Sequence, residues 1–196
     1  MSLILASGSA IRRQLLAAAG VAFEAVRPNV DEDAVKAGLR AEGLSPRDQA
    51  DALAEVKALS VSRQRPGLVI GADQMLALGP EAFDKPADRA AARVSLQKLR
   101  GKTHVLHSAA VLARDGAVIW RHIESPRLTM RDFSDAFLDR YLDAAGEGAL
   151  ASVGAYQLEG LGAQLFARIE GDYFSILGLP MFPLLSILRT QGALDS

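Results

Sequence analysis

The chain has 196 residues, 49% of them hydrophobic and 6% aromatic, enough to bury a substantial core. Its 22 basic and 23 acidic residues nearly cancel, which argues against broad electrostatic binding to nucleic acid or an anionic membrane but leaves a local basic pocket open. No cysteine is present, so disulfides, thiolate catalysis and cysteine–zinc sites are excluded; with no signal peptide and no membrane-length apolar run, the expectation is a soluble protein for which a reducing cytoplasm is permitted.

Leu3–Leu5 reads as a short buried strand that breaks at Ser7-Gly8-Ser9 and runs into a helix, with Ile11, Leu15, Ala18 and Ala19 at helical spacing. Ser9 is its N-cap and Gly20 its C′ residue. Arg12 and Arg13 stand in the first turn, where the helix dipole favours acids and each cation costs a few tenths of a kcal/mol, up to ~1. A local rule broken without structural gain marks a candidate functional site. Free N–H groups, two serine hydroxyls and two guanidinium groups would suit a polyanion, most simply a phosphate chain. The plainer alternative is a surface arginine pair.

Val21–Val26 reads as a strand leading to Asp31-Glu32-Asp33, acids that either open the next helix or, through Glu32 or a neighbour, hold a hard cation such as Mg²⁺. A loop to Leu44 follows, since Gly38 and Gly43 weaken any long helix. Ser45-Pro46-Arg47-Asp48 is a strong helix start, and the helix runs to about Ser62. Lys57 falls inside its apolar stripe of Leu53, Ala54, Ala58 and Val61, so it either snorkels outward or reaches an anion site.

Leu68–Leu78 is the most apolar run and reads as a central strand, interrupted by Asp73. A buried carboxylate is costly unless paired or bound to metal, and Gly71 beside it permits close backbone approach. A catalytic or metal-binding Asp73 is favoured over a structural salt bridge. Lys85 precedes a helix from about Ala87 to Arg100, another cation near free N–H groups. Gly101-Lys102-Thr103 mimics the end of a phosphate-binding loop, but Leu96 stands where the first glycine belongs and a helix precedes it, so that motif is rejected.

Val105–Arg114 and Ala117–Met130 read as two strands joined at Asp115-Gly116, with Pro126 implying an edge or a bulge. His104 and His107 point to opposite faces, and with His122 they make no zinc pattern. A helix opens at Asp132–Asp135 and ends near Ala145, with Phe137, Leu138 and Tyr141 on its core face. Gly146–Gly162 is a glycine-dense loop containing Tyr156 and Glu159. A strand at Leu165–Ile169, a turn at Gly171–Ser175 and a last helix from Pro180 to Gly192 complete one α/β unit without repeats.

Ser7-x-Ser9-x-x-Arg12, Asp31-Glu32, Lys57, Gly71-Ala72-Asp73, Lys85-Pro86, Gly154-Ala155-Tyr156, Glu159-Gly160 and Gly178-Leu179-Pro180 together resemble the Maf family of nucleoside triphosphate pyrophosphatases over nearly the whole chain. The resemblance implies a single Maf-like domain over residues 1–196, built on an elongated mixed β-sheet flanked by helices, with two lobes around a nucleotide cleft. It implies hydrolysis between the α and β phosphorus atoms to a monophosphate and pyrophosphate, a divalent cation (Mg²⁺ or Mn²⁺) and a homodimer, with no nucleic-acid or membrane partner. By position, Asp73 is the implied proton acceptor and shares the metal with Glu32, while Ser7, Arg12, Lys57 and Lys85 hold the triphosphate. Ser9, Gln74 and Glu159 are implied at the substrate, and Arg13 keeps the surface reading.

The chain departs from the pattern of much of the family at Ala10, where proline is usual. Gln74 and Glu159 resemble the 7-methyl-GTP branch, whereas Gly154-Ala155-Tyr156 looks like the branch acting on dTTP and UTP. The mixture leans toward a methylated or other non-canonical nucleotide. The alternatives are a dTTP/UTP pyrophosphatase and a non-catalytic nucleotide-binding regulator of cell division.

Overall fold

Short apolar runs and amphipathic stretches alternate along the chain, and the computed structural model, which describes residues 2–195, turns them into eight strands and seven α-helices. In order these are β1 (Leu3–Ala6), α1 (Ala10–Ala18), β2 (Glu24–Val26), α2 (Glu32–Ala41), α3 (Pro46–Ser62), β3 (Leu68–Leu78), β4 (Glu81–Phe83) and α4 (Arg89–Leu99). Then come β5 (Thr103–Arg114), β6 (Ala117–Glu124), β7 (Arg127–Met130), α5 (Asp135–Ala145), β8 (Phe166–Glu170), α6 (Tyr173–Ile176) and α7 (Met181–Thr190). The strands form an open mixed sheet in the order β2-β1-β3-β5-β7-β8, with β4 added to β3 and β6 to β5. Helices flank it, the expected α/β class.

The chain divides into two compact units, the first made of residues up to Gln74, His107–Glu124 and everything from Asp172 onward. In it β1 pairs parallel with both β2 and β3, Leu3 lying opposite Leu68 and Ala6 opposite Gly71. Parallel strands covered on both faces need apolar residues throughout, which is why β1 and β3 read as continuous runs rather than alternations. The pleat sorts them. Leu3, Leu5, Leu68, Ile70 and Ala72 pack with Leu16 of α1 and with Leu184 and Leu188 of α7. Ile4, Ala6 and Val69 pack with Val61 of α3 on the other face. Gly71 belongs to that second face, and a Cβ there would collide with the Ala54 carbonyl and lie 2.6 Å from the Ala58 nitrogen. Its bare backbone lets α3 lie directly on the strand.

The second unit comprises Met75–Leu106 and Ser125–Gly171. Here β7 pairs antiparallel with the start of β5 and with β8, and α4 and α5 supply buried Ala92, Leu96, Leu99, Leu138 and Leu142. His104 is fully buried, its Nε2 2.7 Å from the Tyr156 hydroxyl, and the Tyr141 hydroxyl donates to the Ala155 carbonyl at 3.0 Å.

Several boundaries differ from the sequence reading. The stretch after Asp31 is helical, not a loop: Asp31 caps the Ala34 N–H at 3.0 Å, Glu32 and Asp33 occupy the first turn of α2 and Arg40 its last. These end effects outweigh the penalty of about 1 kcal/mol for Gly38. Strand β2 covers only Glu24–Val26. The segment expected as one strand to Met130 breaks at Ser125-Pro126 into β6 and β7, because proline has no N–H to give to a ladder. The expected turn before the last helix contains the single-turn α6, whose N-cap Asp172 accepts the Ser175 N–H at 2.7 Å.

Candidate active site

The Ser7-Gly8-Ser9 turn is held by its own hydroxyls: Ser7 Oγ accepts the Ser9 N–H at 3.2 Å, and Ser9 caps α1 by accepting the Arg12 N–H. Ser7 is buried, Ser9 half-buried and Arg13 exposed. Arg12 does not extend into solvent from the first turn. Its side chain is buried, Nε donating to the Gly178 carbonyl at 2.8 Å and Nη1 to the Ala72 carbonyl at 2.9 Å. Burial lowers the guanidinium pKa, an effect that the charges of Asp73 and Glu32 oppose. Gly178, at φ +99°, brings its carbonyl to the guanidinium, and a Cβ there would stand 3.3 Å from Arg12 Nη2. The anomalous cation in the first turn therefore joins the middle of β3 to the chain's C-terminal segment.

Lys57 and Asp73 meet where α3 lies against β3. Lys57 Nζ is 2.7 Å from Asp73 Oδ1 and 2.9 Å from Glu32 Oε2. The lysine and Asp73 side chains are only 6% and 8% exposed, whereas Glu32, entering from the start of α2, is 45% exposed. Partial burial pushes the Glu32 carboxyl upward, but the hydrogen bond and charge of Lys57, with Lys36 and Arg12 behind it, outweigh burial and hold it below the usual range. Asp73 Oδ2 is buried and has no hydrogen-bond partner among the described residues. An unpaired buried carboxylate oxygen costs about 1–3 kcal/mol or more, so its retention calls for an explanation. One oxygen of this acid is clamped and the other is free to accept a proton or bind a cation.

Gln74 leaves β3 on the face opposite Asp73, as the pleat requires. Its Nε2 faces three oxygens, Ser108 Oγ at 2.8 Å and the carbonyls of Ser175 and Ile176 at 3.1 and 2.9 Å. Carbonyls only accept, so the amide nitrogen is turned toward them and the amide orientation is fixed. The structure thus brings Arg12, Glu32, Lys57 and Asp73 together in the first unit, which also holds Ser7 and Ser9 in the turn before α1 and Gln74 on the opposite face of β3. Lys85 and Glu159 belong to the second unit and are exposed. Ser108, Ser175 and the Gly178 carbonyl were not expected as parts of this arrangement. The available signal was Ser108 itself, a polar residue in the apolar run of β5.

A family model described as Maf-like protein matches residues 2–191. Over all 196 residues the chain is 58% identical to a nucleoside triphosphate pyrophosphatase of Hyphomonas neptunium, covering 99% of that relative. It is 61% identical to a nucleoside triphosphate pyrophosphatase of Caulobacter vibrioides, with 97% of this chain and 96% of the relative aligned. A 7-methyl-GTP pyrophosphatase of Mesorhizobium japonicum is 56% identical, with 98% of each chain aligned.

Proposed function

The chain belongs to the Maf family, and from that premise we propose that it is a nucleoside triphosphate pyrophosphatase acting on a non-canonical or methylated nucleotide, with 7-methyl-GTP the favoured substrate. The observation that carries the reaction class is the free oxygen of Asp73, buried beside a lysine that also engages Glu32. In this reading Asp73 Oδ2 accepts a proton from the attacking water. The bond between the α phosphorus and the bridging oxygen breaks, and pyrophosphate leaves with that oxygen. Such displacements are catalysed mainly by positioning and by neutralising phosphate charge. Arg12 and Lys57 are the cations on hand in the first unit, Ser7 and Ser9 supply hydroxyls, and Lys85 and Glu159 keep the substrate roles that the family pattern implies.

The residues present fit a divalent cation. Glu32, 45% exposed at the same lysine, offers one carboxylate, and Asp73 Oδ2, without a partner among the described residues, either takes the water's proton directly or joins Glu32 on the cation that activates the water. Two carboxylates are a donor set of the kind that would hold Mg²⁺ or Mn²⁺ together with substrate phosphates. Arg12 and Lys57 are already matched by Asp73 and Glu32, with Lys36 behind Glu32, so the several negative charges of a triphosphate call for further positive charge. A bound Mg²⁺ or Mn²⁺ would supply it. Among the described residues no helix is long and apolar enough to cross a membrane. The proposal includes a cytoplasmic location, which the absence of cysteine permits, and the homodimer that the family pattern implies.

The base preference rests on the branch pattern that Gln74 and Glu159 share in sequence, not on a contact of the Gln74 amide with the base, and on relatives that bear the 7-methyl-GTP name. Pyrophosphate release measured over dTTP, UTP, GTP and 7-methyl-GTP with Mg²⁺ or Mn²⁺ tests both levels. Fastest turnover of 7-methyl-GTP is expected. Fastest turnover of dTTP or UTP assigns the chain to the other branch, and no turnover of any of them contradicts the enzymatic reading.

A further inference from the structure

Asp73 is held on one oxygen by Lys57 and on the other by no partner among the described residues, yet a proton acceptor must be aimed. The strand on either side of it supplies the aim. Before Asp73, the Ala72 carbonyl accepts from buried Arg12. After it, the Gln74 amide is fixed on Ser108, Ser175 and Ile176. We propose that Ser108 is a positioning residue which, through Gln74, locks the strand segment that carries Asp73.

The reason lies in where Ser108 sits. It is fully buried on β5, where its hydroxyl donates to the Ser175 carbonyl at 2.6 Å and accepts from Gln74 Nε2. Its cross-strand partner on β6 is Glu124, whose Oε2 accepts from the Ser175 hydroxyl at 2.7 Å. Ser175 is thus fastened to β5 through its carbonyl and to β6 through its side chain, and Asp172 fixes its backbone N–H. Gln74 ties β3 into this frame from the face opposite Asp73. Its amide donors are spent on three protein oxygens, so its contribution is to hold the strand rather than to donate to a nucleotide. The carbonyls it meets belong to the C-terminal end of α6; that of Ser175 also accepts from the Gly178 N–H at 3.0 Å, so Gln74 and Ser108 add to the bonds that close this turn. Arg12 serves Gly178 in the same way two residues later.

The proposal rests on the pyrophosphatase reading, and its test separates the two. Steady-state kinetics are measured on wild type, Ser108→Ala, Gln74→Met and the double variant, with melting curves for each. Misplacing a reacting group by about 1 Å costs on the order of 10²-fold, so a loosened strand should lower kcat of Ser108→Ala by about tenfold. KM should stay within about threefold, because the phosphate-binding groups are untouched. If Ser108 acts through Gln74, the double variant loses no more than Gln74→Met alone. Unchanged kcat in Ser108→Ala, a loss that appears as raised KM, or fully additive losses would each overturn the proposal. If Gln74→Met does not fold, the kcat-against-KM split in Ser108→Ala decides alone. Absence of turnover in wild type would overturn the pyrophosphatase reading instead.

Discussion

At the scale of single residues, the buried Lys57 is the hinge of the account. It touches two carboxylates, and removing it by Lys57→Ala leaves Asp73 charged in a nearly closed site. Breaking a buried ion pair from one side costs about 3–5 kcal/mol, so a fall in denaturant midpoint corresponding to that loss is expected at neutral pH. A change below about 1 kcal/mol would mean that Asp73 is solvated or otherwise compensated. Asp73 and Lys57 were both legible in the sequence, as charged residues at apolar positions of a strand and a helix. The destination of Arg12 was not. The dipole argument marks it as anomalous, but its acceptors are backbone carbonyls, one of them 166 positions away, and backbone carbonyls carry no sequence signal.

At the scale of elements, the meeting of Lys57 with Asp73 depends on how closely α3 rides on β3, and Gly71 sets that distance. Adding a methyl group drives a Cβ into the Ala54 carbonyl and against the Ala58 nitrogen, backbone atoms that yield only if the helix moves. Gly71→Ala is expected to destabilise the fold by about 1–3 kcal/mol through overpacking and to lower turnover by separating the pair. Wild-type stability with wild-type turnover would contradict this. The motif containing Gly71 was readable, and so was the permission for close approach. Which helix approaches was not, because pairing of α3 with β3 is a tertiary choice. Helix α2 was missed for a related reason: glycine content argued for a loop, while a cap and charge placement at both ends of the segment carried the helix.

For the whole molecule, stability should carry the signature of His104. Burial pushes its imidazole down to about 4. The folded chain therefore keeps it neutral across mild acid, while the unfolded chain protonates it below about pH 6.5. Stability from this group is fully present above about pH 6.5, falls as the unfolded state binds its proton, and levels off below about pH 4 at a loss of about 3 kcal/mol. The melting temperature should drop between pH 6.5 and 5, and drop less steeply in His104→Leu. Equal slopes would show that the histidine is hydrated or charged in the folded chain. The fold class was legible because parallel strands buried on both faces leave long apolar runs with helical patterns between them. Two lobes were an implication of the family resemblance and not of the residues themselves, and where the chain divides was not legible, since β3 and β5 each contribute residues to both units. The central claim is chemical, and ³¹P NMR of the products addresses it most directly. Wild type with 7-methyl-GTP and Mg²⁺ should yield pyrophosphate and a nucleoside monophosphate, and Asp73→Asn, assayed at a temperature where its melting curve shows it folded, should be slower by about 10²–10⁴-fold. Orthophosphate as the product, or near-normal turnover by Asp73→Asn, would contradict the account.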